Sequence, residues 1–216
     1  LSSVTNFQIS TPVCSPLSGC SARSHVFGEM LKSCHSLQKL TFTQPLNFNI
    51  LSAVMSQNGK TLQVLNCWIG RMVNGGWSSY NLTLPSIKSI IENCTELKEL
   101  NFWNGVSYEG VYESEDIDYS CGIYPGSNVD YLVNNIPPNI EKFSVQEEGA
   151  KFRDEHIKIL VSRCTKLKEL RFSSLSITND SLTHIIDHLS MTLEKLELTN
   201  VNIDEEKRLK SMPKLK

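Results

Sequence analysis

The stretch Cys94-Thr-Glu-Leu-Lys-Glu-Leu-Asn-Phe-Trp103 recurs almost unchanged as Cys164-Thr-Lys-Leu-Lys-Glu-Leu-Arg-Phe-Ser173. Both copies share a cysteine followed by the frame Leu-x-x-Leu-x-Phe, and the residues between the apolar positions vary. A fixed apolar frame with variable residues between its members is typical of a repeat unit. The stretch therefore predicts a chain built from repeats.

The same frame occurs seven times along the 216 residues, with other apolar residues replacing leucine in some copies. The copies open at Val4, Leu37, Leu62, Leu97, Ile140, Leu167 and Leu193. Leu215 would open an eighth copy. Apolar residues at alternate positions within each copy predict a short strand.

A helix-period pattern precedes every frame from the second to the seventh, always in the same phase. Apolar residues recur there at i, i+3, i+4 and i+7, with Asn58 as the exception in the second pattern, which makes one stripe that can face a sheet. The predicted helical patterns cover residues 27–34, 51–58, 87–94, 129–136, 157–164 and 182–189. Asn128, Asp154 and Asn179 stand where helix N-caps are expected.

A single strand and helix of this length cannot bury its own apolar face, whereas stacked units can. The pattern resembles leucine-rich repeats, and more narrowly the cysteine-containing type found in F-box proteins and ribonuclease-inhibitor-like proteins. The resemblance covers about residues 4–216, although most copies lack the asparagine or cysteine that often follows the strand in that family. It implies an α/β leucine-rich-repeat solenoid of about seven irregular repeats, with a curved parallel sheet on the concave side and helices on the convex side. We interpret residues 1–216 as one such domain and as a fragment of a longer protein.

Two units are longer than the others, and their extra residues follow directly after a predicted strand. These insertions, residues 69–81 and 105–127, are predicted to form long loops. Insertions in repeat arrays map to loops on one side of the array and often belong to a binding face. The two loops are therefore candidates for partner contact.

Two tryptophans mark the strands next to the insertions. Trp68 and Trp103 hold the same position in adjacent units, and each follows an asparagine by two residues, Asn66 and Asn101. Large aromatic side chains in wet positions are disfavoured unless something covers them, and tryptophan is enriched in binding hot spots. Two interpretations stay open: a partner covers the pair, or the first inserted loop with Trp77 folds back over it.

Alternate residues of each frame should point away from the helices and line the concave side of the sheet. This placement and the insertions define the candidate partner-binding residues. They are Asn66, Trp68, Trp77, Glu99, Asn101, Trp103, Lys142 and Arg171.

Composition and motifs narrow the classes of function. The 21 basic and 23 acidic residues give a formal net charge of -2, so we expect no nucleic-acid partner. No continuous apolar span suggests membrane insertion. Seven cysteines without a CxxC pair favour reduced core thiols in a cytoplasmic or nuclear protein.

The sequence also lacks complete motifs for catalysis, phosphate binding or metal binding. The chain contains no GxxxxGK[ST], GxGxxG, HExxH or GxSxG motif, so we expect no catalytic residues and no enzyme. His184 and His188 lie one helical turn apart but lack an obvious third ligand, and we interpret them as surface residues. Asp116-x-Asp118 resembles the start of a calcium loop, but Cys121 replaces its turn glycine. We therefore expect no metal and no cofactor.

These patterns predict a non-catalytic protein–protein interaction scaffold, with a protein partner on the concave face and the long loops. The resemblance implies a substrate-recognition region of an F-box ubiquitin-ligase adaptor. Ligase subunits are expected partners only if an F-box lies outside this chain. The alternative is an enzyme inhibitor or regulator that acts by surface occlusion, as ribonuclease-inhibitor-like arrays do.

Overall fold

A computed structural model describes residues 5–9, 31, 33–42, 48–68, 84–103, 126–146, 152–173, 177–199 and 212–215. Within these residues, from the second strand onwards, strands and helices alternate along the chain. The strands are β1 (Asn6–Ile9), β2 (Lys39–Phe42), β3 (Val64–Trp68), β4 (Glu99–Trp103), β5 (Lys142–Gln146), β6 (Glu169–Ser173) and β7 (Lys195–Thr199). The helices are α1 (Phe48–Asn58), α2 (Leu84–Asn93), α3 (Gly126–Asn135), α4 (Asp154–Arg163) and α5 (Asn179–Leu189).

The seven strands form one parallel sheet whose spatial order is the order along the chain. The register is constant, so that Leu65 pairs with Leu100, Leu100 with Phe143, and Phe143 with Leu170. Each of the five described helices packs against the next in sequence. The predicted α/β fold with a parallel sheet is thus confirmed, and the arrangement is compatible with a solenoid.

The frame residues form the core between the sheet and the helices. Those at the second leucine position are at most 1% exposed from β2 to β6: Leu40, Leu65, Leu100, Phe143 and Leu170. Phe143 contacts Phe102 and Phe172 edge to face, with ring centroids 6.5 and 6.1 Å apart. One apolar layer therefore runs continuously beneath neighbouring strands.

Four cysteines lie in the described part of the chain, and all are buried: Cys34, Cys67, Cys94 and Cys164. Burial raises the pKa of the Cys94 and Cys164 thiols to about 12. Cys94 Sγ also contacts Met55 Sδ at 3.3 Å, inside the core. The predicted core position is confirmed for these four cysteines, and their reduced state stays a prediction.

The predicted helix caps are shifted. The N-cap of α4 is Arg153, one residue before Asp154, and the N-cap of α5 is Thr178, one residue before Asn179. Asn128 lies inside α3 rather than at its cap. The N-cap is the last residue with extended backbone before the helix. Arg153 has φ −128° and ψ 172° there, and side-chain type alone did not reveal which residue takes that conformation.

Asp154 joins two consecutive helices instead of capping its own. Its Oδ1 accepts hydrogen bonds from Thr178 N–H at 2.8 Å and from Ser181 Oγ at 2.5 Å, and its Oδ2 accepts one from Thr178 Oγ1 at 2.9 Å. Partial burial raises the pKa of the Asp154 carboxyl, but the bonds from Ser181 and Thr178 outweigh burial and lower that pKa. The carboxylate thereby ties the first turn of α4 to the first turn of α5.

The two predicted insertions fall almost entirely outside the described residues. The exception is residues 126 and 127, which begin α3, so the second loop ends earlier than predicted. Trp77 also lies outside the described part. Among the helices that the structure describes, none is long and apolar enough to cross a membrane.

Candidate functional site on the open face of the sheet

One side of the sheet packs on the helices, and we call the other side the open face. In β6, Glu169, Arg171 and Ser173 are partly exposed on it, whereas Leu170 and Phe172 are buried. Because the register is constant, open-face residues form rows across the strands. The first row is Lys39, Val64, Glu99, Lys142, Glu169 and Lys195. The second row is Thr41, Asn66, Asn101, Ser144, Arg171 and Glu197.

Oppositely charged side chains alternate across β4 to β7 in what we call the charge chain. Its members, in order of contact, are Glu99, Lys142, Glu169, Arg171, Glu197 and Lys195. Lys142 Nζ lies 3.3 Å from Glu99 Oε1 and 3.2 Å from Glu169 Oε1. Arg171 Nη2 lies 3.1 Å from Glu169 Oε2, and its Nε lies 3.4 Å from Glu197 Oε2. Each inner charge thus has two opposite neighbours.

The pairing shifts the ionisation of the central groups. The hydrogen bond to Glu169, assisted by Glu99, raises the pKa of Lys142 despite some desolvation. Partial burial raises the pKa of Glu169, but contacts with Lys142 and Arg171 outweigh it and lower that pKa. The Lys142 and Glu169 side chains are 38% and 26% exposed, and such pairs contribute only about 0.2–1 kcal/mol each to stability. The charge chain therefore orders side chains more than it stabilises the fold.

A row of hydrogen-bonded polar side chains, which we call the amide ladder, continues the open face across β2 to β4. Asn101 Nδ2 donates to Asn66 Oδ1 at 2.7 Å, and Asn66 Nδ2 donates to Thr41 Oγ1 at 2.9 Å. Each amide nitrogen carries a second hydrogen that these bonds do not use. The ladder holds both amides in a fixed orientation.

The charge chain and the amide ladder meet in a shallow depression of about 350 Å³. Its lining includes Asn66, Glu99, Asn101, Lys142, Glu169 and Arg171. Five of these are sequence-predicted candidates, brought together from four strands. Glu169 was not among the candidates. Its position in the frame, equivalent to that of Glu99 and Lys142, is the signal that could have identified it.

The structure places the backbones of Trp68 and Trp103 opposite each other in the β3–β4 pair, as expected from their equivalent positions. Trp68 and Trp103 are therefore the last residues of two neighbouring strands. The alternatives of a covering partner and a covering loop remain hypotheses.

The predicted surface histidines lie on the helical layer. His184 and His188 both belong to α5, with ring centroids 6.5 Å apart, and His188 Nδ1 lies 2.9 Å from the His184 carbonyl oxygen. Within the segments that the structure describes, no group of three or more His, Cys, Asp or Glu residues could hold a metal ion.

No protein-family model matches the chain, and no curated protein matches it either. The resemblance to leucine-rich repeats therefore rests on the recurring frame, and function must be inferred from the chemistry of the open face.

Proposed function

We propose that this chain is a non-catalytic scaffold that binds a protein partner on the open face of the sheet. The observation that carries the proposal is the meeting of the charge chain and the amide ladder in one depression. Both are held in place by bonds within the chain, so a partner meets donors and acceptors that are already ordered. Pre-organisation of this kind lowers the entropy loss on binding.

The charge balance of this surface favours a protein over a nucleic acid. The charge chain contains three acidic and three basic side chains, which already pair with one another. Binding to a phosphate backbone requires an excess of basic side chains. A protein surface, by contrast, offers charges of both signs. Complementary patterns of this kind determine which partner is accepted.

The lining of the depression favours a protein over a small molecule. Phe143 is its one apolar lining residue, and the others are polar or charged. Small-molecule sites are mostly apolar concave pockets with few polar groups. A shallow polar depression is better suited to the polar side chains of a partner. Its lining includes Arg171, and arginine is one of the residue types enriched in binding hot spots.

The described thiols support a non-catalytic role. Cys94 and Cys164 are fully buried, and their raised pKa values keep both as thiols at neutral pH. A nucleophilic cysteine needs an accessible thiolate. The two histidines of α5 lie on the helical layer, away from the depression. No described thiol or α5 imidazole is therefore available to act on a molecule bound at the open face.

We further infer that the sheet is the concave side of a leucine-rich-repeat solenoid. The constant register and the sequential strand order support this architecture. By the family resemblance, the role would be substrate recognition in an F-box ubiquitin-ligase adaptor, which requires an F-box outside residues 1–216. An inhibitor acting by surface occlusion would use the same face. The class of the captured partner distinguishes these two roles.

A cross-linking capture experiment tests the scaffold proposal. Lys142→Glu and Arg171→Glu change the depression, whereas Lys168→Glu serves as the matched control. Lys168 also forms an ion pair with a neighbouring glutamate, Glu141 at 2.6 Å, but it does not line the depression. We expect a partner that the intact chain and the control retain and that both open-face variants lose. Equal capture by all four proteins would refute the proposal.

A further inference from the structure

Charges of opposite sign alternate along the first row of the open face. Across the four strands from β4 to β7, this row reads Glu99, Lys142, Glu169 and Lys195. These side chains are 26–49% exposed, so a partner can reach each of them. Because the signs alternate over an even number of strands, reversing the order of the row exchanges every acid for a base. A second copy of the row, laid over the first in reverse order, therefore places an opposite charge above each member.

The second row of the open face is complementary to itself under the same reversal. Across β4 to β7 it reads Asn101, Ser144, Arg171 and Glu197. Reversal sets Arg171 over Ser144, which lines the depression, and there the guanidinium can donate to the hydroxyl oxygen. It also sets Asn101 over Glu197, where the second amide hydrogen of Asn101 can reach a carboxylate oxygen. We call these parts of the two rows, from β4 to β7, the symmetric patch.

The reversal corresponds to a two-fold axis between two copies of the chain. This axis runs parallel to the strands, above the boundary between β5 and β6. A two-fold interface uses the same patch twice, so every contact between two different residues occurs twice. Lys142 would contact Glu169 of the second copy, and Glu169 would contact Lys142 of the second copy. Both residues line the depression, so the depression lies next to the axis.

We propose that the protein partner of the open face is a second copy of this chain, bound across this two-fold axis. The inference rests on the proposed function, because it names the partner of the same surface. Each charge of the first row keeps its neighbours within the row and gains an opposite charge from the other copy. Like charges of the two copies are diagonal neighbours and stay farther apart than opposite charges. Complementarity of this kind determines which partner is accepted more than how tightly it binds.

The size of the symmetric patch predicts a weak association. Its four strands have five residues each. With about 4.8 Å between strands and about 3.3 Å per residue, the patch covers roughly 300 Å² of each copy. Stable interfaces bury about 800 Å² per partner. We therefore expect self-association at high protein concentration that salt weakens, because the charges of the patch are partly exposed to solvent.

Analytical ultracentrifugation of the purified full chain measures this association at low and high salt, with protein at up to about 1 mM. Lys142→Glu would place two acids at each of the two symmetric contacts, and Glu169→Lys would place two bases there. Each variant should associate at least roughly tenfold more weakly than the original chain, because like charges across an interface are strongly disfavoured. Lys158→Glu is the matched control, since it makes the same charge change at an exposed position of α4 and should leave the association unchanged.

An equimolar mixture of Lys142→Glu and Glu169→Lys tests the two-fold arrangement itself. In a pair that contains one copy of each variant, all four contacts of the first row again join an acid and a base. We expect this mixture to associate roughly tenfold more strongly than either variant alone. Recovery in the mixture also requires that both variants are folded, so it separates lost contacts from lost structure.

Three results would overturn the inference: an original chain that stays monomeric at these concentrations, equal association of Lys142→Glu and the control, or no recovery in the mixture. If the chain stays monomeric but cross-linking captures another protein through Lys142 and Arg171, the inference fails and the proposed function stands. If the open face captures no protein either, the proposed function fails as well.

Discussion

Replacing Asp154 with alanine should lower the free energy of unfolding by about 2–3 kcal/mol, mostly because the hydroxyl group of Ser181 loses its hydrogen-bond acceptor. Ser181 is 0% exposed, and its Oγ donates to Asp154 Oδ1. Removing a charged acceptor leaves a buried donor unsatisfied, which costs about 1–3 kcal/mol. The two bonds from Thr178 contribute less, because Thr178 is exposed and water can replace the lost acceptor.

Urea and thermal unfolding measure this loss. In a chain of this size a loss of 2 kcal/mol lowers the melting temperature by roughly 4–8 °C. Asp180→Ala is the matched control, because Asp180 is an exposed acid in the first turn of α5. Its loss removes only a helix-dipole interaction of about 0.3–1 kcal/mol. Equal effects of Asp154→Ala and Asp180→Ala would refute this reasoning, as would strict additivity of Asp154→Ala with Ser181→Ala.

The Asp154 contribution should also depend on pH. Burial raises the carboxyl pKa, but the hydrogen bonds from Ser181 and Thr178 lower it below its ordinary value of 3.8. A carboxyl with a lowered pKa in the folded state stabilises the protein above its unfolded-state pKa, and this contribution is lost as the pH falls through the folded-state pKa. The stability difference from Asp154→Ala should stay constant between about pH 7 and 5 and shrink below about pH 4. A difference that grows on acidification would contradict the assignment.

Three further predictions concern packing, the charge chain and the thiols. In Gly59→Ala the new methyl carbon would come within 2.3 Å of Asn93 O, a backbone atom at the end of α2, so urea unfolding should show a loss of at least about 1–3 kcal/mol, and unchanged stability would exclude this close packing. Lys142→Ala should cost less than about 2 kcal/mol in the same assay, because each of its two ion pairs is partly exposed and contributes only about 0.2–1 kcal/mol, and a larger loss would assign it a structural role. Cys94 and Cys164 should react with a thiol reagent only as fast as the protein opens, and rapid labelling of the native protein would contradict their burial.

The positions of the strands could be predicted from the sequence because buried residues in a strand stand at alternate positions. Each frame places its apolar residues on alternate positions, and all seven frames contain a strand. The helical patterns are equally local, and those at residues 51–58, 87–94, 129–136, 157–164 and 182–189 coincide with α1 to α5 to within a few residues. Equivalent frame positions also put Asn66, Glu99, Asn101, Lys142 and Arg171 on one face.

The contacts of the polar groups were harder to predict. Asp154 was expected to cap its own helix, yet its carboxylate bonds Ser181 at the start of the next helix. Glu169 was not a candidate, yet it bridges Lys142 and Arg171. In both cases the carboxylate could pair with a group in its own strand or helix or with a group in a neighbouring unit. The residue type does not show which of these partners it takes.

The amino-acid sequence was sufficient to predict the strands, the amphipathic helices and the side of the sheet on which each residue lies. These properties depend on the spacing of apolar residues within short segments of the sequence. The fold was needed to show that the charges pair in an alternating chain and that Leu196 and Leu198 stay partly exposed. Those properties depend on the distance between groups in different units and on whether a neighbouring strand is present, which no local pattern contains.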